Sequence, residues 1–533
     1  MKHVFKILVF LLIYPQFLWA LSLKEMPVQD GGRIKPFDTL ASESVRLVYG
    51  KTNYKDKEPV VLVLTWLLAP EAWSETEFVQ LKSRKIKEAL SLDLKKDYFS
   101  QKELATNPNI EGLFQNLQVK NEKQVKLNAF DQALNRLQGQ LIRLGVFQSG
   151  EILRLQPQTG EQAWKSVNTF DPEYQDKFSE MLKAMTVYMK EGKGEAEFNQ
   201  KADELNKLIF DNYEGDGEAL ASVLKAEIFY NDYHPFRYAW ICYLFALILI
   251  FFYWLKPITG LLYGFSGFMV LGFLLHVLGF ALRVYISGRP PVSNMYETVL
   301  WVPFGTIIFG VVIGKWGKSL LPYVGSCVVA IFCLIIADLA PVILDPSIQP
   351  LEAVLRSNFW LMVHVITIVI SYSAFFLAFI LGDFSLFYHL NEAKYKSQIT
   401  EVTQAIYRSL QIGIFLLAVG TVLGGVWADY SWGRFWGWDP KETWAFIALM
   451  GYLALLHARL VGWVRSFGMA AGAVLSFSLV IMAWYGVNFW LGAGLHSYGF
   501  GSGGVEYVSI FVVIHILFVF YVGIYRKLKE KEA

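Results

Sequence analysis

From Tyr238 onward the chain is a string of apolar runs separated by short charged or glycine-rich breaks. Nine runs stand out, near 238–255, 261–284, 296–314, 319–340, 358–388, 409–427, 443–463, 468–491 and 505–525. Each is long enough for a helix to cross hydrocarbon, where every backbone polar group must find its partner internally. The expected fold class is therefore mainly α, a polytopic helical membrane bundle of about nine spans. The run from Phe359 exceeds a straight crossing and predicts tilt or protrusion. Lys256, Lys315, Lys318, Lys394, Lys396, Arg408, Arg459, Arg465 and the basic tail from Arg526 fall in alternate loops or at the ends facing them. By the positive-inside rule these face the cytoplasm. The loops near 288–294, 345–358, 427–443 and 492–504 then face outward, as does everything ahead of the first span.

The part ahead of the spans has a different composition. Residues 1–22 place Lys2 and Lys6 before an apolar run ending Leu18-Trp19-Ala20, the pattern of a signal peptide or N-terminal anchor. Residues 23–235 form a charged, soluble-type domain, expected to be extracytoplasmic and mostly helical. Gly31-Gly32 and Pro36 mark turns before a helical pattern from Thr39. Pro59 to Leu68 is very apolar but short for a span, so it reads as a core segment or one resting on the membrane. Helical periodicity follows over 75–92, 122–144, 172–190, 195–210 and 217–230, with a short strand near 152–155. No catalytic constellation is visible there. The formal net charge of +2 and the lack of a basic cluster argue against a nucleic-acid partner. Cys242, Cys327 and Cys333 lie in apolar runs without a CxxC spacing, so they read as buried small hydrophobes rather than a redox pair.

Chemistry concentrates in Trp427–Trp444, WADYSWGRFWGWDPKETW. Trp427, Trp432, Trp436, Trp438 and Trp444 are interleaved with glycines, which suits a flat aromatic shelf approached closely by a ligand. An interfacial aromatic belt is the bland alternative. Asp439, Pro440 and Glu442 carry the signature of a helix start with a capping box. This ordered string resembles the tryptophan-rich "WWD" signature of the haem-handling membrane proteins of cytochrome c maturation, most closely the CcsA/ResC branch of system II. The GGRIKPFDTLA segment and the stretch from Arg283 to Val299 are also similar to segments of that family. In the latter, Asn294 and Glu297 read as an N-cap with its capping-box partner rather than as ligands.

The resemblance implies haem b as the bound group, and it sorts the histidines. His364, before the tryptophan stretch, and His496, after it in GLHSYG, match the family's external axial ligands to haem iron. Neutral imidazole is a natural ligand for that metal. Arg434 and Lys441 are placed to meet haem propionates. His457 matches the family's intramembrane histidine. His276, also read as lying near mid-membrane, is the candidate partner for a second haem iron, with His515 as its rival. His389 reads as a snorkelling residue at a helix end.

The function so implied is transport of haem to the outer face of a bacterial inner membrane and its covalent attachment to the CxxCH thiols of apocytochrome c. That is a holocytochrome c synthase, a lyase forming thioethers, with no catalytic residue distinct from the haem site. Implied partners are a CcsB/ResB-like membrane protein, apocytochrome c and thiol reductants of the outer compartment. Competing readings are haem delivery without ligase activity, a b-type haem redox subunit, and a transporter with an aromatic gate.

Overall fold

The computed structural model describes residues 21–339, 344–351, 357–489, 491 and 504–532, leaving out 53, 56, 124, 126 and 161. The expected signal segment lies outside them except for Leu21 and Ser22, which open a short helix, Leu21–Glu25. The chain divides into two compact units between Asp232 and Tyr233.

The first unit is helical, with three small two-stranded antiparallel sheets among the described residues. Pro27–Asp30 pairs with Arg33–Pro36, and Gly31 and Gly32 form its two-residue turn at φ +59° and +81°. Two consecutive positive φ values match the strand twist and favour glycine. Helix Phe37–Tyr49 packs on helix Pro59–Leu68, whose Val60, Leu62, Val63, Leu64 and Trp66 are at most 1% exposed. That apolar segment is thus core of this unit, not a membrane-resting element. Two expected helices are broken. Over 75–92 the chain makes a strand, Glu77–Gln80, paired with Tyr98–Ser100, then helix Arg84–Ala89. Pairing buries Phe78 and Val79, and that burial outweighs local helical preference. Over 122–144 one helix ends at Glu122 and another starts at Ala129, fixed by an Asn128–Asp131 capping box.

The second unit is a helical membrane bundle. Nine helices among the described residues are long and apolar enough to cross a bilayer. In order, the spans are Pro235–Leu255, Thr259–Ser287, Met295–Gly317, Leu321–Leu339, Ile366–His389, Glu392–Trp432, Pro440–Leu460, Ser466–Ile481 and Val505–Glu532. The fifth is extended at its start by Asn358–Trp360 and a π-helical turn, Leu361–Val365. The eighth is extended at its end by a second π-helical turn, Met482–Gly486, and by Val487–Phe489. The three cysteines are buried and free.

Spans 5 and 6 pack most intimately, and glycine is the reason. A β-carbon at Gly413 would come within 2.6 Å of the Phe375 ring, and one at Gly420 within 2.8 Å of Ile368. Small residues on one face let two helices approach closely in a medium that supplies no hydrophobic drive between them. The same face continues to Gly424, where the candidate site begins.

Candidate functional site

Successive spans alternate in direction, so the ends of spans 2, 4, 6 and 8 lie at one end of the bundle with the starts of spans 3, 5, 7 and 9. A cleft opens at this end, with about 1130 Å³ of atom-free space including its mouth. Its walls come from the start of span 3, the fifth and sixth spans, the tryptophan-rich stretch and the end of span 8.

His364 stands on the first wall, half-buried in the π-turn ahead of span 5. Its Nδ1 lies 2.9 Å from the Gly420 carbonyl oxygen of span 6. A carbonyl can only accept, so Nδ1 carries the proton and Nε2 is the nitrogen with the lone pair. Metal-binding histidines are held in this manner, one ring nitrogen bonded to a carbonyl and the other left basic. The ring fits because residue 424 is glycine; a β-carbon there would come within 2.5 Å of the His364 Cε1. Trp427 backs the imidazole at a ring separation of 5.6 Å and is 5% exposed.

The tryptophan-rich stretch is not one loop and not one flat shelf. Span 6 stays helical through Trp432 and stops at Gly433, which takes the left-handed conformation at φ +68°. Only residues 433–439 are loop, and Trp438 within them also has positive φ, +57°. Trp436 and Trp438 meet edge to face, 5.7 Å apart at 82°, and both stand edge-on to Phe446. Edge-to-face packing satisfies the ring quadrupoles better than a coplanar row does. Phe435 and Trp436 are the aromatic residues of the stretch that line the cleft.

Asp439 caps span 7, accepting from the Glu442 N–H at 3.0 Å, as the sequence motif predicts. The Glu442 carboxylate does not complete the box. It accepts from the Gly437 N–H at 2.6 Å and from the Arg434 guanidinium at 3.0 Å. Arg434 also reaches Asp439 at 3.8 Å and lies over the Trp432 ring at 5.7 Å. Arg434 is thus engaged as a clasp between its loop and the start of span 7. Lys441 and Glu442 are the charged side chains at the cleft wall.

The wall contributed by span 3 is set by a buried ion pair. Arg283 Nη2 donates to the Glu297 carboxylate at 2.8 Å, and both side chains are almost fully buried. Glu297 also accepts from the Ser293 backbone N–H at 2.8 Å, and its own N–H donates to Asn294 at 2.8 Å. Arg283 and Arg289 donate to the carbonyls of Pro346 and Gln349. The N-cap expectation for Asn294 holds locally. Glu297 does not serve as the expected capping-box partner: its carboxylate neutralises a buried arginine and fixes Ser293, which with Asn294 lines the cleft.

The other histidines fall elsewhere. His276 has no exposed surface; its Nε2 lies 3.0 Å from the Leu300 carbonyl. Phe236, Phe280 and Phe304 surround its ring at 5.2–5.6 Å. His457 is not at comparable depth. It occupies the last turn of span 7, exposed, with Nδ1 2.8 Å from its own helix's Leu453 carbonyl. Span 2 packs on spans 1 and 3, whereas span 7 packs on spans 6 and 8, so these two histidines are not brought together. His515 pairs with Asp383 across spans 9 and 5 at 3.4 Å. His389, buried at the end of span 5, bonds Glu392 rather than reaching for solvent. His496 lies outside the described residues.

Sequence reasoning passed over the residues that shape the cleft from behind. Gly420 and Gly424 are spaced as G-x-x-x-G, a signal for close helix approach that was open to reading. Asn488 is a polar residue in an apolar run, which inside a membrane is itself a pointer. The carbonyl of Gly420 as a histidine partner leaves no trace in sequence.

Residues 292–496 match the family model described as Cytochrome C assembly protein. The chain is 29% identical to Protein NrfI of Wolinella succinogenes over 507 residues, which is 88% of this chain and 53% of that protein. It therefore spans about half the length of that relative. It is 35% identical over 247 residues to cytochrome c biogenesis protein CcsA of Prochlorococcus marinus, covering 41% of this chain and 78% of the relative. CcsA of Guillardia theta is 32% identical over 290 residues, 49% of this chain and 94% of the relative. Among solved structures the chain is similar to Cytochrome c Heme Lyase CcmF, with a TM-score of 0.39, 15% identity, and coverage of 54% of this chain and 50% of that one.

Proposed function

The chain belongs to the CcsA family of cytochrome c biogenesis proteins, and from that premise we propose that its cleft receives haem at the outer face of the bacterial inner membrane and presents it to apocytochrome c for thioether formation. One observation carries this reading: His364 lines the cleft, with its Nδ1 held at the Gly420 carbonyl so that the tautomer and direction of the ring are set. The donor set fits haem b. An imidazole suits the iron, and indole N–H groups and Lys441 suit the carboxylates. His496, named by resemblance, is the proposed second ligand. The incoming substrate supplies two thiols, and the haem vinyl groups supply the carbons to which they add.

The protein's own share is positioning. The Gly420 carbonyl orients the imidazole, the Arg434–Glu442 clasp holds the loop that carries Trp436, and the Arg283–Glu297 pair fixes the facing wall. Holding reactants in register converts an encounter into an effectively unimolecular step. No side chain in the cleft is assigned an acid or base role. A CcsB/ResB-like partner and outer thiol reductants complete the proposed system, since this chain carries no cysteine pair.

The test is the absorption spectrum of the purified protein. Wild type retains haem; His364→Ala and His496→Ala lose most of it; Lys190→Ala, in the first unit, retains it. Equal haem in all four would sink the ligand assignment. Release of that haem to a carrier, with no holocytochrome formed from a CxxCH peptide by the protein with its partner, would favour delivery without ligation.

A further inference from the structure

Among the described residues, three that line the cleft each carry a buried side-chain polar atom with no hydrogen-bond partner: Nε1 of Trp436, Nε1 of Trp484 and Oδ1 of Asn488. A buried polar group left unsatisfied is disfavoured, so a cluster of them at one cavity calls for a partner that the described residues do not provide. Two of the three belong to span 8, one helical turn apart, outside the tryptophan-rich stretch and outside every residue named above as a ligand contact.

Trp484 also sits in a π-helical turn, Met482–Gly486. The other π-turn among the described residues carries His364. Both open onto the same cleft. A π-turn strains the helical ladder and recurs where a side chain must be aimed at a ligand. Asn488 braces this one. Its Nδ2 donates to the Trp484 carbonyl at 2.8 Å, which settles the amide orientation because a carbonyl cannot donate. The same Nδ2 contacts the Met295 sulfur at 3.3 Å, tying span 8 to the start of span 3.

We propose that Trp484 is a ligand-contacting residue: its indole N–H, together with that of Trp436, donates to the carboxylate groups of the molecule bound in the cleft, and Asn488 is the positioning residue that aims it. An indole nitrogen is a donor only, so its partner must be an acceptor. An anionic carboxylate is the strongest acceptor available, and Lys441 on the same wall favours negative charge. The Asn488 Oδ1 is itself an acceptor and stands outside this subsite. The inference rests on the haem reading above, in which the carboxylates are the two propionates.

The experiment compares haem with its dimethyl ester, which keeps the macrocycle and iron but removes both negative charges. Each is titrated into the full-length protein in detergent, cleared of bound haem, and followed by absorbance. Wild type binds haem more tightly than the ester. Trp484→Phe keeps a ring and loses the donor, so it is expected to shrink that preference about tenfold, mainly by weakening haem, with ester binding unchanged to within about twofold. Trp436→Phe carries the same expectation and serves if Trp484→Phe is not recovered. Asn488→Leu should shrink the preference less while lowering thermal stability. An undiminished preference in both tryptophan variants overturns the proposal, as does equal loss of haem and ester, which marks a packing role. Wild type that binds neither compound removes the functional reading itself.

Discussion

His364 and His276 make the same local bond and have opposite prospects. Each imidazole sets one nitrogen against a backbone carbonyl of a neighbouring span, at 2.9 Å for His364 and 3.0 Å for His276. In both, that bond decides the tautomer and leaves the other nitrogen basic. At His364 the ring stands at the wall of an open cleft, among aromatic rings and polar side chains. At His276 the ring is closed in by Phe236, Phe280 and Phe304, and its Nδ1 is buried with no partner among the described residues. What separates the two is that His364 lines a cleft, whereas phenylalanine rings enclose His276.

The sharpest way to break this comparison is to remove each ring in turn. His364→Ala should lower haem affinity by tenfold or more, on the order of what a lost metal-site residue costs, measured by absorbance titration. The second largest effect is expected from Gly424→Ala. Its new β-carbon must displace the His364 ring, which shifts Nε2 rather than deleting it. We expect loss of haem affinity of about tenfold with the fold intact by circular dichroism, and a changed ligand-field spectrum for what remains. Normal affinity in that variant would mean the ring is free to move and the Gly420 bond is incidental.

Arg434→Ala should have a smaller effect. It opens the clasp on Glu442 but leaves the Asp439 cap in place. A few-fold loss is expected, together with faster proteolysis near Trp436, because an ion pair with one partly exposed partner contributes about 1 kcal/mol. Smallest of all is His276→Leu: haem at the cleft should be retained to within about twofold. Haem loss equal to that of His364→Ala would show that the phenylalanine cage opens to a ligand, and the contrast between the two histidines would fail.

Much of the architecture was legible beforehand because it follows from the solvent. Apolar runs of spanning length have few structural outcomes in hydrocarbon, and the nine expected spans match the nine helices among the described residues. The Asp439 and Asn294 caps were legible for a related reason, since an N-cap is satisfied within a few residues. Where sequence reasoning failed, a distant partner decided. The strand at Glu77–Gln80 exists because Tyr98–Ser100 lies beside it. The flat shelf became an edge-to-face cluster because Phe446, on the next span, stands among the rings. His457 lies at the end of its span because span 7 begins at Pro440 and stops at Leu460.

Taken by itself, the sequence determined the class of molecule, the number of spans, the helix caps and the short stretch in which the chemistry gathers, because these depend on composition and on neighbours a few residues apart. The tertiary structure alone decided which of several similar histidines lines a cleft, that Arg434 closes on Glu442 at the start of span 7, and that Trp484 comes to the same cavity as Trp436. Those outcomes depend on how closely spans 5 and 6 approach across Gly420 and Gly424, and on where span 8 unwinds. No periodicity records such distances between helices.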